Sequence, residues 1–203
     1  MYDPLLEGQL TYYRARAEEY DEWFLRRGRH DRGPEWNRRW FSELARHATL
    51  VTAVDASPEV LEINRARLRE AGLEASVRYV EADLFDWRPD AAHDAVFFGF
   101  WLSHVPPERF EAFWELVRGA LRPGGRVFFV DSLGAETPDE MARRSRNPRD
   151  HTTIRQLDDG RELRIVKIFY DPADLEQRLA GLGWRFSVRT TEHLLYGSGE
   201  PRP

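Results

Sequence analysis

Apolar and polar positions along this chain follow two periods, and the switches between them mark its elements. From Leu5 to Leu25, LLEGQLTYYRARAEEYDEWFL spaces its apolar and aromatic residues as one face of a helix. GRHDRGP, Gly28 to Pro34, reads as a loop from its glycines and proline, and Pro34 then opens a second helix, PEWNRRWFSELARHA. The β-rich run TLVTAV follows and ends at Asp55. Ser57 and Pro58 start a helix as N-cap and first residue, and EVLEINRARLREAG carries it to Gly72.

Two further strands are expected at Ser76–Val80 (SVRYV) and Asp94–Phe100 (DAVFFGF). The second is apolar throughout, as a strand buried on both faces would be. Pro107 opens the helix PERFEAFWELVRGAL, Arg122-Pro123-Gly124-Gly125 breaks it, and RVFFV (Arg126–Val130) is the next strand. The polar stretch from Asp131 to Arg149, with Arg143, Arg144, Arg146 and Arg149, reads as a loop or short helix over one end of the sheet. Thr152–Leu157 and Arg161–Phe169 flank Asp158-Asp159-Gly160, a hairpin signal. A helix over Pro172–Leu182 and strand material at Trp184–Thr190 and His193–Tyr196 close the chain. Strands alternating with helices and then an antiparallel end predict an α/β fold: a mostly parallel sheet with an antiparallel edge. The 203 residues suit one domain, 1–203, with N-terminal lid helices over 1–47 and a sheet domain over 48–203 that carries the hairpin at about 152–169.

Composition narrows the chemistry. There is no cysteine, which removes disulfides, thiolate metal sites and cysteine nucleophiles and fits a reducing, cytoplasmic setting; no metal site is expected. The formal charge of −5 disfavours nucleic acid as a partner, because phosphate contacts need a clustered positive field. The longest apolar run, Ala95 to Leu102, is far too short to span a bilayer, and the N-terminus shows no secretory pattern, so no membrane partner is expected. Lys167 is the only lysine and lies near no glycine loop, which argues against Schiff-base and Walker-type phosphate chemistry. A small-molecule substrate remains, with the oligomeric state undefined.

Candidate site residues fall at strand ends, where open α/β sheets take ligands. Asp55 follows LVTAV. Its carboxylate can accept both hydroxyls of a ribose, and the competing reading is a capping or loop aspartate, for which Ser57 is the better cap. Asp83, after VRYV, can accept the exocyclic amine of an adenine with Leu84 and Phe85 against the ring, or serve only as a turn aspartate. Phe100-Trp101-Leu102-Ser103-His104 follows the apolar strand and would border a reacting centre. Its aromatics are either contacts to a cationic group or core. His104 is either a general base or an ordinary surface or helix-start histidine.

Taken together, VTAVDAS, EADLFDW, HDAVFFGFWLSHVP and LRPGGRVFFVDS resemble the class I S-adenosylmethionine-dependent methyltransferases, from about Tyr12 to Tyr196. The Pro-Gly-Gly turn before a strand is a fairly specific mark of that family, and YYRARAEEYDEWF is similar to the lid helix of its small-molecule members. The resemblance implies a Rossmann-like sheet with a reversed final strand and S-adenosylmethionine as cofactor. It places Asp55 and Ala56 at the ribose, Asp83 and Leu84 at the adenine, and Phe100 near the methionine part. It places Trp101 and His104 toward the substrate, with Tyr13, Tyr20 and Trp23 closing the site from the lid.

One family element is missing from the sequence. No first strand running into E/D-x-G-x-G-x-G precedes LVTAV; Trp40-Phe41-Ser42-Glu43 runs straight into Leu44-Ala45-Arg46-His47-Ala48. A segment on the order of 30 residues, about one βαβ unit, is therefore lost near Glu43–Leu44. That strand is central in the family's sheet. Its loss either splits the strands into two groups with unpaired edges or forces the strands LVTAV and DAVFFGF to pair directly. The cost of unpaired buried backbone favours the rearranged sheet. Three functions follow: methyl transfer to a small molecule with a weakened hold on the cofactor, a non-catalytic remnant or scaffold, and, ranked last, a dinucleotide-dependent oxidoreductase. No Asn-Pro-Pro-Tyr follows the apolar strand, where amino-methylating enzymes of nucleic acid and protein often carry one.

Overall fold

The structure is a computed structural model that describes residues 3–17, 44–134, 150–192 and 194–203. Several sequence expectations lie outside these residues: the Gly28–Pro34 loop, the start of the Pro34 helix, the junction at Glu43, the arginine cluster, and Tyr20, Trp23 and His193. The chain divides into two compact units, 1–87 with 156–163, and 88–155 with 164–203.

In the first unit, α1 (Pro4–Ala15) starts at Asp3, whose Oδ1 accepts from the Leu5 N–H at 2.9 Å, and buries Leu6, Gln9 and Tyr12. Residues 44–47 are helical. β1 (Val51–Asp55) and β2 (Val77–Glu81) pair in parallel, Val51 opposite Val77 and Asp55 opposite Glu81. The crossover is α2 (Pro58–Glu70), capped by Ser57 and anchored by Leu61 and Leu68; Gly72, at φ 70°, ends it in the left-handed region open to glycine.

The second unit holds a four-stranded sheet in the order β3-β4-β8-β7: β3 (His93–Gly99), β4 (Leu121–Ser132), β7 (Trp184–Thr190) and β8 (Leu194–Pro201). β3 runs parallel to β4, and β8 is antiparallel to both β4 and β7. Parallel and antiparallel pairs are thus mixed. Between β3 and β4 the register jumps: His93 faces Leu121 but Ala95 faces Arg126, so Arg122-Pro123-Gly124-Gly125 bulges out. A Cβ on Gly125 would stand 2.9 Å from the Arg122 carbonyl and 3.1 Å from that of His93, so this turn requires glycine.

Helix α3 (Phe110–Ala120) places Phe110, Phe113, Trp114, Val117 and Ala120 on one buried face. Trp114 meets Trp184 edge-on at 5.1 Å and Phe186 at 5.4 Å, and Phe98 stacks on Phe129 at 5.7 Å. Each fully buried aromatic contributes about 2–3 kcal/mol of transfer free energy, so this cluster adds substantially to the unit's cohesion. Helix α4 (Pro172–Gly181), capped by Asp171, adds Leu175 and Leu179 and packs on β7. A hairpin, β5 (Thr152–Gln156) and β6 (Glu162–Val166), turns at Gly160 as Asp-Asp-Gly predicts.

Two expectations are corrected. The strand at 93–99 is not buried on both faces: among the described residues it is an edge of its sheet, and its residues are half-buried or exposed. It also does not pair with the strand at 51–55, since the two stand in separate sheets among the described residues. The physical reason is that each strand finds its hydrogen-bonding partner within its own unit, β1 on β2 and β3 on β4.

Candidate functional site

In the first unit the parallel register brings acidic residues to one end of the sheet. Asp55 closes β1 beside Glu81, and Asp83 follows two residues beyond. Asp55 Oδ1 accepts from the Ser57 N–H at 2.8 Å, while the Asp55 carbonyl accepts from the Ala82 N–H at 3.0 Å and ties the two strand ends together. Ser57 is the helix cap, its Oγ accepting from the Val60 N–H at 3.3 Å and donating to Glu59 at 2.7 Å. Asp55 is therefore not spent on capping α2. Burial pushes its carboxyl above the usual carboxylate range, against the opposing pull of the Ser57 and Ala56 N–H groups and of Arg14.

Arg14 of α1 holds the same loop from outside. Its Nη2 and Nε both donate to the Ala56 carbonyl, at 2.8 and 3.2 Å, and Nη2 lies 3.7 Å from Glu81. Asp83 makes its own turn: Oδ1 accepts from the Phe85 N–H at 2.9 Å, and its carbonyl accepts from the N–H groups of Asp86 and Trp87. Leu84 beside it is half-buried. Tyr13 is half-buried, edge-on to the buried Tyr12 at 5.1 Å.

In the second unit the chain leaves β3 through Phe100, a non-glycine residue at φ 54° whose N–H donates to the Val130 carbonyl at 2.7 Å. Trp101 packs against Phe113 at 6.4 Å, so it serves the core whatever else it contacts. Leu102 to His104 form a single 3-10 turn anchored by the fully buried Leu102 and Val105. His104 is 6% exposed, which rules out the surface-histidine reading. Its Nδ1 stands 2.7 Å from the Val166 carbonyl; a carbonyl only accepts, so Nδ1 carries the hydrogen. In the neutral ring Nε2 then bears the lone pair.

Under this turn lies a buried polar cluster that sequence reasoning missed. Asp131, 1% exposed at the end of β4, accepts from the Ser103 N–H at 2.8 Å through Oδ2 and from the Ser132 N–H at 2.7 Å through Oδ1. Lys167, 7% exposed, donates to Ser103 Oγ at 2.9 Å, reaches Ser132 Oγ at 3.4 Å and lies 3.8 Å from Asp131. The signal was a lone lysine inside the apolar run Ile165-Val166-Lys167-Ile168-Phe169, but its partners are far away in the chain. Arg14 was missed for the same reason.

Asp55, Ala56, Asp83 and Leu84 are thus gathered in the first unit, and Phe100, Trp101 and His104 in the second; Tyr20 and Trp23 are outside the described residues. Among the described residues, no three His, Asp or Glu side chains are grouped to hold a metal ion, and no helix is long and apolar enough to cross a membrane.

Comparison with known proteins places this geometry in a family. A model of the methyltransferase domain matches residues 38–125. The DhpI–SAM–HEP complex is 40% identical over 99% of this chain and 100% of its own, with a TM-score of 0.79, and the DhpI–SAH complex is 39% identical over 100% of each chain at 0.79. A Mycolicibacterium smegmatis protein assigned to the S-adenosyl-L-methionine-dependent methyltransferases is 29% identical over 163 residues, which cover 71% of this chain and 51% of that protein. The chain thus spans about half the length of this curated relative. It belongs to the class I S-adenosylmethionine-dependent methyltransferases and has their Rossmann-like α/β fold. S-adenosylmethionine is the cofactor of that family.

Proposed function

We propose that this chain, as one domain over 1–203, transfers a methyl group from S-adenosylmethionine to a small-molecule substrate. We further propose that it holds the methionine end of the cofactor less tightly than members with a glycine-rich loop. The observation that carries the reading is the pair Asp55 and Asp83 at the ends of adjacent parallel strands. Their acceptor chemistry fits a nucleoside, one carboxylate for two ribose hydroxyls and one for an exocyclic amine. DhpI, solved with SAM and with SAH, supports the same cofactor.

Bound S-adenosylmethionine supplies an electrophilic methyl group. The protein's task is placement and exclusion of water. In this reading Asp55, steadied by the Ser57 N–H, binds the ribose, with Ala56 beside it. Asp83 and Leu84 bind and flank the base, and Phe100 lies against the methionine part. Trp101 and the lid residues Tyr13, Tyr20 and Trp23 contact the substrate. His104 takes a proton at Nε2 when the nucleophile is a hydroxyl or an acidic carbon. The net charge of −5 and the missing Asn-Pro-Pro-Tyr support a small substrate over nucleic acid, and the absence of cysteine supports a cytoplasmic setting.

The missing glycine motif favours a second reading, a non-catalytic member that keeps the fold. Calorimetric titration with S-adenosylhomocysteine, beside an Asp55→Ala control, separates the two. Binding weaker than micromolar that the substitution abolishes supports the proposal. Micromolar or tighter binding overturns the weakened hold, and no binding by a folded chain selects the second reading.

A further inference from the structure

Three consecutive residues, Val166, Lys167 and Ile168, hold two others, Ser103 and His104. The Val166 carbonyl accepts from His104 Nδ1, Lys167 Nζ donates to Ser103 Oγ, and the Ile168 N–H donates to the Ser103 carbonyl at 2.8 Å. Asp131 completes the grip through the Ser103 N–H, so every polar group of Ser103 is engaged. Burying an ammonium and a carboxylate carries a desolvation cost, and well-packed apolar residues often serve stability as well. The chain nevertheless places its only lysine here. We infer that Lys167, Asp131 and Ser103 act as positioning residues that lock His104 as its Nδ1–H tautomer and so present Nε2 as the proton-accepting atom.

The imidazole keeps its Nδ1–H only while the Val166 carbonyl lies in line with it, and free histidine side chains favour the opposite, Nε2–H form. That alignment depends on the register between 103–104 and 166–168. Lys167 fixes this register by bridging Ser103 to the end of β4 at Asp131 and Ser132. The inference rests on the proposed role of His104 for its catalytic meaning, but the tautomer itself is a property of the folded chain.

The test is two-dimensional 1H–15N correlation of the histidine side chains in the full-length protein at about pH 8, above the ordinary imidazole range. The His104 signals are identified by their loss in His104→Gln. The expected wild-type pattern is a protonated Nδ1 and an unprotonated Nε2. Lys167→Met shifts the ring toward Nε2–H, and Lys167→Arg restores the wild-type pattern. The double variant Asp131→Asn with Lys167→Met removes both charges of this pair and keeps the test open if the single variant does not fold; it too shows the shift. A wild-type Nε2–H ring, or an unchanged tautomer in the folded variants, overturns the inference. Turnover is a separate reading: Lys167→Met lowers kcat by up to about 100-fold with KM unchanged. If His104→Gln leaves turnover intact, the catalytic role fails while the tautomer result stands.

Discussion

Arg14 donates twice to the carbonyl of Ala56, from Nη2 at 2.8 Å and Nε at 3.2 Å, across 42 residues of sequence. A guanidinium gripping this carbonyl fixes the Ala56–Ser57 peptide, whose N–H donates to Asp55 Oδ1 and so sets the direction of the carboxylate. α1 thereby supports the loop at the end of β1. Replacing Arg14 with alanine is expected to cost about 1 kcal/mol of stability or less, because the side chain is partly exposed. The same change is expected to weaken S-adenosylhomocysteine binding severalfold. Urea denaturation and calorimetry on one preparation check both; unchanged affinity rules out a supporting role for Arg14.

Asp55 is held at a stability cost. Because burial raises its pKa above the ordinary 3.8, the folded state binds that proton more tightly than the unfolded chain does. Its contribution to stability therefore declines as pH rises from about 3.8 through the raised folded value, and is level above it. Asp55→Asn keeps the acceptor for the Ser57 N–H and removes the buried charge. The variant is expected to be at least as stable as wild type at pH 7, with the difference vanishing below the ordinary carboxylate range, while cofactor binding falls. Denaturation at a series of pH values would show the opposite trend if an ion pair with Arg14 dominated.

Tyr170 carries a buried hydroxyl with no hydrogen-bond partner among the described residues, its ring 6.0 Å from that of Phe110. Burial pushes the phenol pKa far upward, so the group stays neutral across the physiological range. Tyr170→Phe removes an unsatisfied polar atom without altering the ring. The expected result is unchanged stability or a gain of up to about 1 kcal/mol in chemical denaturation. A loss of that size would show that the hydroxyl has a partner in solution.

Gly197 lies in β8 between two rings. A Cβ there would come within 2.7 Å of Phe129 and 2.8 Å of Phe186, which stack across it at 5.6 Å. Gly197→Ala is expected to cost about 1–3 kcal/mol by overpacking. Thermal unfolding of the variant checks this; a wild-type midpoint would mean that the rings yield freely.

Most helices and turns were legible because their signals are local. Ser57-Pro58 and Asp171-Pro172 cap the helices they precede, Asp-Asp-Gly turns the hairpin, and Pro-Gly-Gly bulges before the strand that follows. The acidic residues at strand ends were legible too, since a strand's end and an aspartate after it are both read from neighbouring positions. The apolar run at 93–99 misled, because hydrophobicity reports a preference for burial and cannot say how many neighbours a strand finds.

The sequence by itself therefore determined the α/β class, the element order, the placing of Asp55 and Asp83 at strand ends, and the family, all of which depend on residue type and short spacing. Only the tertiary structure decided that β1 and β3 stand in separate sheets and that the only lysine closes on Ser103, 64 residues away, beside Asp131. It also brought His104 Nδ1 within 2.7 Å of the Val166 carbonyl. These depend on distances between segments that the chain brings together only by folding, and a few ångströms separate a buried hydrogen bond from none.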